Sequence, residues 1–532
     1  MNRMRNIGTI AALGGFTASV ALLTGLSGAR ADDLQQLQAN QQLLQQEINQ
    51  LAALKTPATP GAASLAGSFP RSILIPGTDT SLAVGGYVKL DAFYWLSGGV
   101  PNGNVSASDA VNNYLQSVPL NVGAPGVGGF NAHSRGNGVF QFTARESRFH
   151  IETRTPTAWG PADTFLELDF YGCSAGGLDC SSQNQVTNPV VPRLRLAYGT
   201  LGPWLAGQDW VAVNDLEAQP EMIDFGGEMG HFAYARAPQL RYTWAGPYGL
   251  SAIVAANQPL TQVIGPAGAY ETDSGSVTEG AAEAGFAPVA LAVNPAKNSL
   301  PDGNFVLGIT QPWGHLRLNA IVQDMSLQDG AFISKDYLGY GGGFSGNVRP
   351  GWFGWAKDGF GFEAWAGSGL GHYANGTAGP TGWQGIASNF GAAPGVAGNV
   401  CGYGSLVAPA GAGPGTEPAV SPKDSTTAAC AAFVHSTTFS QFGGQVNYAH
   451  YWLPNLRSTV IYGYQGQDIP SGLLGGFVGV ANRDVWNATA NLIWSPVAFV
   501  NIGLEYTFGE RETVSGLRGD MNVIEGEFQV SF

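Results

Sequence analysis

Within the last fourteen residues of the chain, the stretch from Ile524 to Phe532 alternates strictly between apolar and polar side chains. Ile524, Gly526, Phe528, Val530 and Phe532 fall on one face, and the residues between them are polar. A period of two indicates a β-strand with one apolar and one wet face. An apolar edge strand would promote aggregation unless the sheet closes on itself. Because an aromatic residue ends this strand, we expect it to close an outer-membrane β-barrel.

The rest of the chain from Ser81 onward alternates short strands with two kinds of connection. Long polar or Gly-rich loops are predicted at 97–137, 258–302 and 371–437. The other connections are tight turns marked by Pro: 155–161, 201–203, 245–248, 311–314, 453–455 and 495–497. Tight turns at one rim and long loops at the other are typical of outer-membrane barrels. A soluble propeller is the alternative.

Counting strands from Leu82–Leu96 to Val523–Phe532 gives about sixteen, with 330–370 the least regular region. The predicted fold is therefore all-β: a transmembrane antiparallel barrel with room for an aqueous channel. Tryptophans beside the tight turns favour a membrane, because indole rings concentrate at the lipid–water interface. They are Trp159, Trp204, Trp244, Trp313, Trp452 and Trp494.

The N-terminal residues predict three further segments. Residues 1–31 have a basic start, an uncharged stretch and an Ala29-Arg30-Ala31 cleavage site, which together indicate a signal peptide. Residues 32–55 carry heptad-spaced apolar side chains, which predict a short coiled-coil helix. Three Gln-rich heptads need several chains held together, although a lone helix or disordered spacer is the alternative. A linker follows at 56–80, and the barrel occupies 81–532.

Composition and charge agree with a barrel. Charged residues are 12% of the chain, and 77 of 532 residues are Gly. No apolar run after residue 31 reaches the roughly 18 residues that a membrane helix needs. Removal of the signal peptide takes three of the 24 basic residues and none of the 38 acidic ones, so the formal net charge goes from −14 to −17. This charge disfavours a nucleic-acid partner.

Arginines are concentrated in one part of the predicted wall. In 193–198, both arginines are predicted on one strand face, with the leucines and Tyr198 on the other; Arg241 and Arg317 lie in similar alternations. A charge facing lipid at the barrel midplane costs roughly 2–4 kcal/mol, so these side chains should point inward. The predicted pore-lining residues are Arg145, Arg148, Arg193, Arg195, Arg241 and Arg317. Since Arg145 and Arg148 have opposite parity, either one faces outward or a bulge separates them.

An acidic stretch lies between Arg195 and Arg241 in the sequence. Residues 209–228 carry six carboxylates and no basic residue, between two predicted strands. We expect a constriction loop that folds into the lumen and sets acids across from wall arginines. The constriction residues would be Asp215, Glu217, Glu221 and Asp224. The alternative is an exposed loop whose charge the arginines merely neutralise.

Cysteines and histidines indicate little chemistry. Cys173 with Cys180, and Cys401 with Cys430, are candidate disulfides for a chain exported to an oxidising compartment. No His lies at metal-ligand spacing from these pairs, so neither a metal nor another cofactor is expected. None of the seven His sits in a nucleophile or metal motif. We therefore do not expect an enzyme.

Several segments give the chain a specific family resemblance. It resembles the DcaP-like porins of Gram-negative outer membranes at both barrel ends and only loosely over 258–440. The matching segments are Gly86-Tyr-Val-Lys-Leu-Asp-Ala-Phe93, Glu146-Ser-Arg-Phe-His-Ile-Glu-Thr-Arg-Thr-Pro156, Leu166-Glu-Leu-Asp-Phe170, Arg193-Leu-Arg-Leu-Ala-Tyr198, Leu205-Ala-Gly-Gln-Asp-Trp210, Ala237-Pro-Gln-Leu-Arg-Tyr242, Asn491-Leu-Ile-Trp-Ser-Pro496 and Gly503-Leu-Glu-Tyr-Thr-Phe-Gly-Glu-Arg-Glu-Thr513.

The resemblance implies a homotrimer in outer-membrane lipid, with the coiled coil in the periplasm. It also implies passive uptake of small anions such as dicarboxylates. The excess of Arg over Lys agrees, because the guanidinium fork matches planar carboxylates bidentately. We therefore expect a diffusion porin that passes small hydrophilic solutes, with a surface adhesion or structural barrel of closed lumen as the alternative.

Overall fold

In a computed structural model of the chain, the segments with alternating apolar and polar residues form one closed antiparallel barrel. The structure describes residues 66–98, 137–172, 191–233, 235–265, 268–271, 275–277, 296–328, 334–349, 354–374, 385–388, 435–474 and 481–532, with isolated positions between them. The predicted signal peptide, the coiled coil and all four cysteines lie outside these residues. Among the described residues there is no helix long and apolar enough to cross a membrane.

Sixteen strands form the barrel wall, as the alternation predicts. They are β1 Ser81–Ser97, β2 Arg148–Thr157, β3 Gly160–Gly172, β4 Val191–Leu201, β5 Trp204–Trp210, β6 Arg236–Ala245, β7 Leu250–Asn257, β8 Asp302–Gln311, β9 Gly314–Gln328, β10 Ser334–Val348, β11 Gly359–Ser368, β12 Ser440–Leu453, β13 Leu456–Gln467, β14 Asn482–Val497, β15 Val500–Thr513 and β16 Arg518–Ser531. Each pairs antiparallel with the next, and β16 pairs with β1 from Tyr87↔Ser531 to Ser97↔Asn522.

Shorter elements accompany the wall. Val139–Thr143 pairs with β1 ahead of β2, and Ala296–Asn298 pairs with β9. Ile73–Leu74, near the end of the predicted linker, forms a hairpin with the start of β1. A separate five-stranded sheet comprises Gln262–Gly265, Gly268–Glu271, Gly275–Val277, Ile386–Ser388 and Ser436–Thr438.

The two faces of the wall differ as the alternation requires. On β16, Phe528 is 50% exposed on the outer face, while Glu525 is 2% exposed on the inner face. Neighbouring strands repeat this division, with exposed Leu492, Leu504 and Val460 on the outside. All six tryptophans beside the tight turns are exposed, as an interfacial girdle would require.

One predicted strand face is wrong. Leu194 is exposed, but Leu196 is buried with Phe165 and Trp210 on the inner face, and Tyr198 packs against them. The cause is a β-bulge opposite Glu167 and Leu168, where the register between β3 and β4 shifts. The extra residue places Arg195 and Leu196 on the same side.

Candidate functional site

The connection between β5 and β6, residues 211–235, lies inside the barrel. We call it the inner loop. Most of its side chains are buried, although it is a connection between two strands. The side chains that contact it lie on strands elsewhere in the barrel wall. Its buried apolar residues are Val211, Ala212, Val213, Ala218, Ile223, Met229, Phe232 and Ala233. Four sets of contacts attach it to the wall.

The first attachment is Asp215, which is fully buried. Its carboxylate lies 2.8 Å from Nε2 of His315 and 3.4 Å from Nη1 of Arg317, and it accepts a hydrogen bond from Ser345 at 2.7 Å. Arg317 also donates to the carbonyl of Ala212. The inner loop is therefore bound to β9 and β10 through one carboxylate.

The second attachment is on β12 to β14. Side chains of Gln445 and Asn447 donate to the carbonyl of Ala218 at 3.0 and 2.9 Å. The carboxylate of Glu221 accepts hydrogen bonds from Nε and Nη2 of Arg457, and the two side chains form a bidentate ion pair. Such charge-assisted pairs fix geometry as well as adding attraction.

The third attachment clamps Ile223 and Asp224 between two charged side chains. Glu505 on β15 accepts both backbone N–H groups, at 3.0 and 3.1 Å. Lys89 on β1 donates to the carbonyl of Ile223 at 2.6 Å. Lys89 is nearly completely buried and also contacts Glu146.

The fourth attachment involves Met229 to Ala233. Trp365 on β11 donates its indole N–H to the carbonyl of Gly230 at 2.7 Å and stacks on Phe232 with ring centroids 5.6 Å apart. The N–H of Ala233 donates to the carbonyl of Tyr373, in the connection after β11. These residues belong to an apolar cluster within the barrel, so part of the lumen is packed rather than open.

Between the second and fourth attachments, Phe225 reaches the arginine-rich wall. It stacks on Tyr171, with ring centroids 4.1 Å apart and planes within 10°. The guanidinium carbons of Arg193 and Arg195 lie 5.5 Å from the Phe225 ring centroid, and that of Arg145 lies 4.7 Å from the Tyr171 ring. The structure thus brings three of the six predicted arginines together around one aromatic pair.

Wall carboxylates pair with these arginines. Arg193 binds Asp169 bidentately, with contacts of 3.0 and 2.6 Å. Arg195 bridges Glu167 at 2.8 Å and Asp169 at 3.0 Å and is almost fully buried. Arg193 keeps one third of its side chain exposed. It is thus the more accessible of these two guanidinium groups.

Arg145 and Arg148 are separated by a break in the strand. Val139–Thr143 and β2 both pair with β1, and residues 144–147 between them form a turn in which Ser147 N–H donates to the Ala144 carbonyl. Arg145 is buried over Tyr171 and Arg148 lies over Tyr87, at 5.2 Å. An irregularity between the two, one of the two alternatives, therefore accounts for their opposite parity.

Arg241 and Arg317 lie apart from that cluster. Arg241 pairs with Asp209 at 2.7 Å, at the end of β5. Arg317 is occupied by the inner loop, as described above. Both lie on the strand face opposite exposed leucines, Leu240 and Leu318.

The four predicted constriction residues have different environments. Asp215 and Glu221 attach the loop to the wall, and Asp224 is buried near Glu505. Glu217 keeps 37% of its side chain exposed and lies 3.4 Å from Nδ1 of His315. Burial alone would raise the pKa of Asp215, but His315, Arg317 and Ser345 hold that pKa well below its usual range.

Sequence reasoning missed several contacts of the inner loop. Lys89, Arg457, Glu505 and Trp365 bind it from strands 130 or more positions away in the sequence. Alternation could have placed Lys89 on the inner face, since Val88 and Leu90 are exposed. No local sequence pattern predicts which residue of the inner loop Lys89 contacts. Among the described residues there is no group of His, Cys, Asp or Glu arranged to hold a metal ion.

Comparisons with known proteins agree with this architecture. Residues 437–529, which cover most of β12 to β16, match the family model described as DcaP outer membrane protein. The resemblance to the DcaP-like porins is confirmed. No curated protein matches the chain.

Several solved structures are similar to this chain, and the first of them shares its fold. The outer membrane channel DcaP of Acinetobacter baumannii aligns with a TM-score of 0.59 and 19% identity, over 88% of this chain and 100% of that one. An anion-selective porin from Comamonas acidovorans aligns with a TM-score of 0.42 and 9% identity, over 85% and 100% of the two chains. OmpT of Vibrio cholerae aligns with a TM-score of 0.43 and 7% identity, over 86% of this chain and 100% of that one. The last two are too distant to support an argument.

Proposed function

We propose that the chain is a diffusion porin of the Gram-negative outer membrane that passes small hydrophilic solutes, with a preference for carboxylate-bearing anions such as dicarboxylates. The observation that supports it best is the inner loop crossing a sixteen-stranded barrel and placing Phe225 beside Arg193. A barrel of this size holds an aqueous channel. The loop would narrow it where the arginines are concentrated.

Arg193 is the side chain best placed to meet a permeating anion. Asp169 binds its Nε and Nη2, and a guanidinium has five N–H donors, so donors remain for a solute carboxylate. The ring of Phe225 would supply an apolar surface beside that carboxylate. Transport would be passive, driven by the concentration gradient.

Single-channel recording in planar bilayers under a salt gradient tests this proposal. Arg193→Gln should shift the reversal potential toward lower anion preference while conductance persists. Arg518→Gln is the matched control, because Arg518 is more than half exposed at the start of β16. Arg195 is unsuitable, since its removal would leave Glu167 and Asp169 buried without it.

Three results would count against the proposal. Cation preference in the wild type would keep the channel and discard carboxylates as its solutes. An unchanged reversal potential in Arg193→Gln would remove Arg193 from the pathway. Absence of conductance in folded, reconstituted protein would favour the alternative of a surface barrel with a closed lumen.

We further propose that the porin is a homotrimer and that the outer face of β2 to β5 contacts the neighbouring copies. Thr153, Thr164, Gly199 and Ala206 form one row across these four strands in register. Small residues permit close approach of two walls. β5 has seven residues, fewer than the 9–11 that a strand needs to span a bilayer. The predicted coiled coil, on the periplasmic side with the tight turns, would reinforce the assembly.

A further inference from the structure

Near the third attachment of the inner loop, the barrel wall carries four carboxylates on adjacent strands. We call Asp91 on β1, Glu505 on β15, and Glu525 and Glu527 on β16 the acid cluster. The strand register sets Asp91 directly opposite Glu527 and Glu505 directly opposite Glu525. All four are at least nine-tenths buried. Like charges opposite each other in a sheet are destabilising.

Positive charge near the cluster is insufficient to balance it. Among the described residues, Lys89 is the one cation that contacts these carboxylates, 3.2 Å from Asp91 and 3.6 Å from Glu527. Lys89 also forms an ion pair with Glu146. The other carboxylate oxygen of Glu146 accepts a hydrogen bond from the hydroxyl of Tyr87. Further acidic groups face the cluster from the inner loop: Asp224, and Glu221, which is paired with Arg457.

Glu525 is the carboxylate with least compensation. Neither of its oxygens has a hydrogen-bond partner among the residues that the structure describes. It lies in the electrostatic field of Asp224, Asp91 and Glu505, opposed by Lys89. A buried carboxylate without a partner is costly when ionised, and two neighbouring carboxylates relieve that cost by sharing a proton.

The acid cluster is mechanically connected to the inner loop. Glu505, opposite Glu525, accepts the backbone N–H groups of Ile223 and Asp224. Lys89, beside Asp91, donates to the carbonyl of Ile223. A change of charge within the cluster therefore acts on the two side chains that hold this segment.

We propose that the acid cluster is a proton-binding site: one proton is shared by Asp91 and Glu527, another is carried by Glu525 opposite the ionised Glu505, and both protons keep the inner loop attached at Ile223 and Asp224. A proton is the ligand that fits, because no described group of acids is arranged to hold a metal ion. Loss of the protons at alkaline pH leaves four repelling carboxylates around Lys89. Repulsion then loosens the clamp and widens the channel.

The experiment follows the loop and the channel in parallel in the full-length protein. Hydrogen exchange of the peptide that contains Ile223 and Asp224, corrected for the intrinsic rate, is measured in micelles from about pH 5 to about pH 10. Conductance is recorded over the same range. Wild type should lose exchange protection and gain conductance in one step as pH rises. The double variant Asp91→Asn/Glu525→Gln, which places one uncharged isostere in each pair, should abolish the step and keep the protected state throughout.

Glu510→Gln on β15 is the matched control, because Glu510 pairs with Arg518 away from the cluster; it should retain the wild-type step. Absence of the step in wild type, or its persistence in Asp91→Asn/Glu525→Gln, would overturn the proposal. A step that moves with EDTA or added Mg²⁺ would overturn it in favour of a bound cation. The expected change in conductance rests on the proposed porin function, whereas the expected change in hydrogen exchange does not. An exchange step without conductance at any pH would therefore refute the porin and retain the proton site.

Discussion

At the scale of single residues, several charges inside the barrel attach the inner loop to the wall. Asp215 illustrates this, since its three polar partners lie on β9 and β10, 100 or more positions along the chain. Its pKa is held low in the folded protein, so its contribution to stability is complete above the unfolded pKa of about 3.9 and is lost as pH falls below that value.

Asp215→Asn should detach the first part of the inner loop from the wall. Losing the ionised partner of buried His315 and Arg317 should cost about 1–3 kcal/mol. The difference in stability between wild type and variant should be constant through neutral pH and decline progressively as pH falls below about 3.9. Protease cleavage within 211–218, followed against pH, measures it. Glu217→Gln, altering a more exposed carboxylate, should have little effect; equal cleavage in both variants would contradict the role of Asp215.

At the scale of elements, alternation predicts the wall well and its irregularities poorly. The tight turns, the closing strand and the total of sixteen strands follow from local pattern. The bulge that turns Leu196 inward and the break between Arg145 and Arg148 do not, because each depends on pairing with a neighbouring strand. The acidic content of the inner loop indicated its position, but Arg457 and Glu505 are more than 200 positions away from their loop partners.

Gly230 makes the close contact between the inner loop and the wall sensitive to one methyl group. It has a φ of +80°, and an added Cβ would lie 2.1 Å from the carbonyl oxygen of Gly444. Gly230→Ala should displace the fourth attachment while the barrel still folds. We expect higher conductance and faster protease cleavage near Phe232.

Gly472→Ala is the control for this substitution, because a Cβ there would meet nothing within 4 Å. It should leave both conductance and cleavage at wild-type values. Unchanged conductance in a folded Gly230→Ala protein would show that the fourth attachment does not limit the channel.

At the scale of the whole molecule, the outer surface is uneven. Large apolar side chains cover the outside of β14 to β16, including Leu492, Leu504 and Phe528. The row from Thr153 to Ala206 on β2 to β5 is small and partly polar instead. A lipid-facing wall should be apolar throughout its hydrocarbon band, so this row agrees with the proposed contact between copies.

Ala206→Trp should therefore weaken the proposed homotrimer without unfolding the barrel. The indole would separate two walls that small residues allow to approach. Light scattering in detergent should show a smaller assembly, while heat-modifiable mobility on gels reports an intact barrel. Ala488→Trp on the lipid-facing side of β14 is the matched control and should keep the wild-type mass. A trimer that withstands Ala206→Trp but dissociates in Ala488→Trp would move the interface to the wall around β14.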